Sequence, residues 1–360
     1  MRKMWSLECG MKSGEREEAN VLKHRGQQIS RLTLIGVVLV MLLGMLVGSW
    51  SCSKSDYSGK IESITFGNLP VESSELIYVA LDQNYFAKNG LNVTIRDYVT
   101  GIDTLNAAIK DEVDIAGMAE WAIVVGAFQK QKISLIANID KWQAVYIVAR
   151  RDRGIENISD LKGKTVGLSR GTIVEFYLAR FLDLHGMNIR DLTLVNATPS
   201  QSVDMISKSD VDAVIIWQPY VNGIQRRLRD QIVAWPGQSS QPVFGALVGK
   251  NTWITEHQDL VSRFLKSLAL AEEYLDRHPT EAKAILQKRL TLDVAYVETH
   301  WPRNQFSLSL DQSVIAAMED EARWMIKNNL TREKTIPDFM NYIYVDGLKA
   351  VKPEAVKIIQ

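Results

Sequence analysis

ISDLKGKTVGLSRGTIVEFYLARFLDLHGM, residues 158–187, holds a strand, a glycine turn and a helix within 30 residues. The run TVGL (165–168) reads as a buried strand, and residues 172–184 carry apolar side chains at helical spacing until Gly186 stops them. Between them Gly171 allows a close backbone approach, and Thr172 stands where a helix begins. Outward from this unit the pattern repeats. Residues 61–67, 91–99, 114–118 and 133–140 read as strands ahead of it, alternating with helical stretches at 74–83, 101–110 and 120–130. Strands at 192–196 and 212–216 follow it, with a helix at 199–208 between them. Regular alternation of this kind is the signature of α/β units with parallel strands joined by helices. Segments 220–229 and 231–235 complete the second series, and 243–249 reads as a strand returning to the first. From Asp259 onward the pattern is helical, with Leu260, Phe264, Leu265, Leu268 and Ala271 forming a core-type stripe and further helices near 280–289 and 310–328. The expected division is a first lobe of residues 61–149 plus 243–360 and a second of 150–242. Hinges are expected near Arg150 and Pro242.

The chain has 360 residues. Residues 32–50 (LTLIGVVLVMLLGMLVGSW) are 19 consecutive uncharged, mostly apolar residues preceded by Lys23, Arg25 and Arg31. Basic residues ahead of such a run read as an export signal, and its length also allows it to span a bilayer. Residues 1–52 are therefore an N-terminal extension and signal segment, and 53–60, within the polar stretch SCSKSDYSGK, a tether. The acidic first twenty residues point to a translation start nearer Val21. GSWSC (48–52) resembles a bacterial lipobox, although Trp50 is bulky and Ser49 replaces a leucine-like residue. Cys52 is the expected lipidation site, with a retained apolar anchor or simple cleavage as the other outcomes.

Basic and acidic residues number 42 each, and no basic stripe suited to displacing counterions from nucleic acid is visible. Cys9 and Cys52 are the two cysteines, which excludes a disulfide framework or a cysteine zinc site in the folded part. The five histidines show no HxxxH spacing. No metal or other cofactor is expected.

Four segments together resemble a known family: YVALDQNYFAKNGLNV (78–93), GIDTLNAAIKDEVDIAGMAEWA (101–122), the 158–187 stretch and DVDAVIIWQPY (210–220). Their order is similar to that in periplasmic binding proteins of the nitrate, sulfonate and taurine type, a group that also includes thiamine-pyrimidine binders. The resemblance implies a two-lobed periplasmic-binding-protein fold (type II), each lobe a mostly parallel sheet flanked by helices, with extra C-terminal helices. It also implies an extracytoplasmic protein that binds a small solute and presents it to an ABC permease with its ATPase, without chemistry; the apolar segment and Cys52 add the expected membrane anchor, and a monomer is expected. Two alternatives are weighed: a sensory binding protein reporting to a kinase or chemoreceptor, and an enzyme like the thiamine-pyrimidine synthases. The latter rely on a cysteine-rich motif that this chain lacks.

In open α/β sheets, ligands collect beyond the carboxyl ends of the strands, where helix N-termini offer free N–H groups. Those positions here are 68–74, 119–121, 169–172 and 217–220. The candidate ligand contacts are Asn68, Ser73, Glu120, Trp121, Trp142, Arg170, Gly171, Thr172, Trp217 and Gln218. Trp121, Trp142 and Trp217 fall just past strand ends and would supply flat walls, or alternatively pack a lobe interior. For Thr172, Ser73 and Ser74 helix capping competes with ligand contact. Glu120 and Glu175 would repel a plain anion and favour a zwitterion or N-heterocycle, although acids are favoured in a helix's first turn whatever the ligand.

Overall fold

The computed structural model describes residues 57–238 and 241–359. Cys9, Cys52 and the apolar segment 32–50 lie outside the described residues, so the export, anchoring and start-site expectations do as well. The described strands are β1 (Glu62–Asn68), β2 (Leu91–Asp97), β3 (Ile115–Ala119), β4 (Ile133–Trp142), β5 (Val145–Arg150), β6 (Thr165–Leu168), β7 (Thr193–Asn196), β8 (Ala213–Trp217), β9 (Ile232–Pro236), β10 (Val243–Lys250), β11 (Asn304–Asp311) and β12 (Val356–Lys357). They build two sheets, ordered β12-β11-β4-β10-β3-β1-β2 and β7-β6-β8-β5-β9. Helices α1 (Glu75–Asp82), α2 (Gly101–Ile109), α3 (Glu120–Phe128), α4 (Ile173–Leu184), α5 (Tyr220–Leu228), α6 (Gln258–Arg277) and α7 (Gln312–Lys327) flank them, with further helices between, among them Pro199–Lys208 and Pro279–Leu290. This is the α/β two-sheet architecture expected.

Each sheet has the same grammar. β2, β1 and β3 run parallel, as do β7, β6 and β8, because helical crossovers join them. The strands that carry the chain to and from the other sheet run antiparallel: β10 lies against β3 and β4, and β5 against β8 and β9. Both sheets are thus mixed, and the first has a second, short parallel pair, β11 with β12, at its other end.

The stripe on α6 is core. Leu260, Phe264, Leu265, Leu268 and Ala271 are buried, and Phe264 sits between Phe66 at 6.0 Å and Phe86 at 5.0 Å between ring centroids. Burying each large side chain contributes about 1.5–3 kcal/mol. Arg263 on the same helix is buried too, and it is satisfied by Asp259, Glu62 and the carbonyl of Gly90.

Two expectations change. Val145–Arg150 pairs with β8 and β9, so this strand belongs to the second sheet and the first crossing falls at residues 143–144, ahead of Arg150. A continuous apolar run shows that a strand is buried but not in which sheet. The region after Asp259 is also not wholly helical: β11 pairs antiparallel with β4. Its alternation, with Phe306, Leu308 and Leu310 buried between half-exposed neighbours, has period two. The last of these helices, α7, accordingly starts at Gln312, with the Asp311 carboxylate accepting the Ser313 N–H.

Gln238 ties the two crossings together. Its side-chain oxygen accepts the N–H groups of Ala144 and Val145 at 2.8 and 2.9 Å, and its amide nitrogen donates to the carbonyls of Trp142 and Gln241. Gln238→Ala strands two buried N–H groups, at about 1–3 kcal/mol each. Urea unfolding of the variant should show a midpoint lowered accordingly; an unchanged midpoint would mean that Gln238 does not brace the crossings.

Candidate functional site

The carboxyl ends of β1, β2 and β3 open on one edge of the first sheet, and the ends of β6 and β8 open on the facing edge of the second. Between them lies a chamber of about 860 Å³ of space free of atoms, part of it open to solvent. The first sheet's side contributes Ser73, Thr100, Gly101, Trp121, Trp142 and Gly245, and the second's Val145, Thr172, Ile173, Trp217 and Tyr220. Both sheets are needed to enclose it.

Of the expected contacts, Ser73, Trp121, Trp142, Thr172 and Trp217 line this chamber together. Trp121, the second residue of α3, is 2% exposed, and its Nε1–H donates to the Gly171 carbonyl at 2.8 Å. That bond spans from the first sheet's helix to the second sheet's loop. Its ring also packs against Phe176 of α4 at 6.2 Å and Trp324 of α7 at 5.9 Å. Trp217 meets Tyr220 edge-on at 6.0 Å. The Thr172 hydroxyl donates to the Ser169 carbonyl at 2.7 Å and does not cap α4. Similarly the Ser74 hydroxyl donates to Leu69 O at 3.0 Å.

Arg170 and Gly171 line an adjoining outer groove, which shares Thr100, Ile102, Trp121 and Thr172 with the chamber. Gly171 has a left-handed φ of 73°, a conformation that favours glycine, and its N–H donates to the Glu175 carboxylate at 3.1 Å. Arg170 is exposed; its N–H donates to the Asn196 side-chain oxygen, also in this groove.

Three expected contacts stand behind the wall instead of on it. The Asn68 amide is fully buried and donates to Tyr78 Oη at 3.2 Å and Asp97 Oδ1 at 2.6 Å. Gln218 accepts the Asn222 N–H at the start of α5, and its amide nitrogen lies 3.3 Å from Nε2 of His300. Glu120 accepts the Phe244 N–H on β10 at 3.0 Å. As the first residue of α3 it faces the sheet, whereas the next residue, Trp121, faces the chamber. Burial, chiefly, pushes the Glu120 carboxyl up to about 8, and it raises the adjoining Glu321 carboxyl of α7 well above its ordinary value. The Glu321 carboxyl lies against that of Glu120 and finds no other hydrogen-bond partner among the described residues.

Sequence reading missed the wall formed after β2, where Val99, Thr100, Gly101 and Ile102 line the chamber. The signal was present as Thr100-x-x-Asp103, a capping box whose reciprocal bonds are both made. Gly245 and Tyr220 were also missed as wall residues. Gly245 carried no signal, since its role depends on β10 entering between β3 and β4.

Comparison with known proteins bears on family and fold. The NMT1/THI5-like family model matches residues 73–282. A provisionally named binding protein of Brucella abortus (strain 2308) is 25% identical over 239 residues, covering 66% of this chain and 73% of its own. A provisionally named aliphatic sulfonates-binding protein of Bacillus subtilis (strain 168) is 21% identical over 308 residues, 83% of this chain and 91% of its own. Among solved structures, the alkanesulfonate-binding protein SsuA from Xanthomonas axonopodis pv. citri, bound to MOPS, superposes with a TM-score of 0.70 at 18% identity, covering 80% of this chain and 100% of that one. At that identity the likeness concerns the fold.

Proposed function

This chain belongs to the NMT1/THI5-like family, and from that premise we propose that it is the solute-binding component of an ABC importer. It binds a small molecule in the chamber between its two sheets and does no chemistry on it. The observation that carries this reading is the two-sided wall, with Trp121, Trp142 and Gly245 on one side and Thr172, Trp217 and Tyr220 on the other. A solute touching both sides is held only when the lobes are together, so binding favours closure, and closure reports occupancy to a permease with its ATPase. The relatives named as binding proteins for sulfonates, and a periplasmic one for taurine from Escherichia coli (strain K12), support a solute-binding role outside the cytoplasm. We take the lobes to be residues 61–142 with 243–359, and 145–236, with hinges between them. The protein acts as a monomer, held at the membrane through a lipid on Cys52 or through the apolar segment before it.

A thermal-shift screen over sulfonates, nitrate, amines and pyrimidines tests binding. A solute at about 100 times its dissociation constant stabilises the chain by roughly 2.7 kcal/mol. Small-angle scattering with a solute that binds should show a smaller radius of gyration; an unchanged radius would contradict the closure mechanism. Mass spectrometry of membrane-fraction protein should find an N-terminal, lipid-modified Cys52, and an unmodified Cys52 would leave the apolar segment as the anchor.

A further inference from the structure

The charge around the chamber says more about the solute than the fold does. None of the described residues lining it carries a carboxylate, ammonium, guanidinium or imidazole group. Five helices begin at its wall, and helix N-termini are where a small anion would ordinarily be held. Two of them carry a first-turn acid that reaches the outer groove, Asp103 in α2 and Glu175 in α4, while the first-turn acids of α1 and α3, Glu75 and Glu120, are buried away from the chamber and burial raises both carboxyls. Asp103 accepts the Thr100 N–H and Glu175 the Gly171 N–H, so the N–H groups that would meet a solute's negative oxygens are partly taken. In α5, which has no such acid, the Gln218 side-chain oxygen takes the Asn222 N–H.

The outer groove does not reverse this, because Arg170 stands there with Asp103 and Glu175, two acids to one base. What the wall does offer is aromatic area, chiefly from the part-exposed Trp142, Trp217 and Tyr220, since Trp121 is nearly all buried, suited to a flat ring.

Resting on the solute-binding reading above, we infer that the solute is a neutral aromatic molecule, stacked among the chamber's indole rings, and not a small anion of the kind for which the sulfonate-binding relatives are named. Calorimetric titration of the full chain at neutral pH with benzenesulfonamide, benzenesulfonate and taurine tests this, since the first two share a ring and a sulfonyl group and differ chiefly in charge. The sulfonamide is expected to bind at least about tenfold more tightly than the sulfonate. Asp103→Asn with Glu175→Gln should narrow that ratio, because the two acids no longer oppose the anion. Equal or tighter binding of the sulfonate would overturn the inference, as would an unchanged ratio in the double variant. Binding of taurine alone would overturn it too, while leaving solute binding itself intact. Absence of binding by these three and by every member of the wider screen would contradict both.

Discussion

Trp121→Ala is expected to lower the stability of the chain by about 3–5 kcal/mol and to abolish tight solute binding. The indole is 2% exposed and packed between Phe176 and Trp324, so truncation leaves a cavity where elements of both lobes meet. It also removes the Nε1–H bond to Gly171, a direct polar tie between the two sides of the chamber. Trp121→Phe separates these contributions, because it keeps an aromatic ring but loses the N–H, at a cost of about 1 kcal/mol. Urea unfolding together with calorimetric titration reads both. An alanine variant that unfolds and binds like the parent would show that Trp121 neither joins the lobes nor forms the wall.

The second large effect is a dependence of stability on pH that runs opposite to ordinary acid denaturation. Glu120, Glu321, Glu75 and Asp140 are buried, and burial raises each above its ordinary carboxyl range, Glu120 to about 8. In the unfolded chain these groups ionise near pH 4. Between that value and the folded one the native state binds more protons, so stability is fully present below the unfolded pKa and falls as pH rises through the folded pKa. The expected loss between pH 5 and pH 8 is on the order of a few kcal/mol. Glu321→Gln removes an acid whose carboxyl lies against that of Glu120 and finds no other hydrogen-bond partner among the described residues. It should flatten the slope and make the variant more stable than the parent at pH 8 by about 1–3 kcal/mol. Equilibrium unfolding at several pH values checks this; a parent whose stability rises steadily from pH 5 to pH 8 would refute it.

The fold was legible wherever a segment's period matched its burial. The strand, turn and helix at 158–187 appear as β6, the left-handed Gly171 and α4, and the stripe at Leu260, Phe264 and Leu268 is buried on one face of α6. β11 was not recognised because its alternation is short and lies among helices, and β5 because an apolar run does not name its sheet. At the chamber, position relative to a strand end was readable but side-chain direction was not. Trp121 and Glu120 are neighbours in sequence, yet one faces the chamber and the other accepts a bond from β10. Asn68 likewise sits at the end of β1 but turns toward Tyr78 and Asp97. Gln238 bears on both crossings and has no local pattern, because its partners at the first crossing, Trp142, Ala144 and Val145, lie about 95 residues away in sequence.

Diffraction from crystals of the chain grown with benzenesulfonamide, or with the solute giving the largest thermal shift, shows where the solute binds. The solute is expected in the chamber among Trp121, Trp142 and Trp217, touching residues that follow strands of both sheets. A solute bound elsewhere, or resting against one sheet alone, would contradict binding between the sheets.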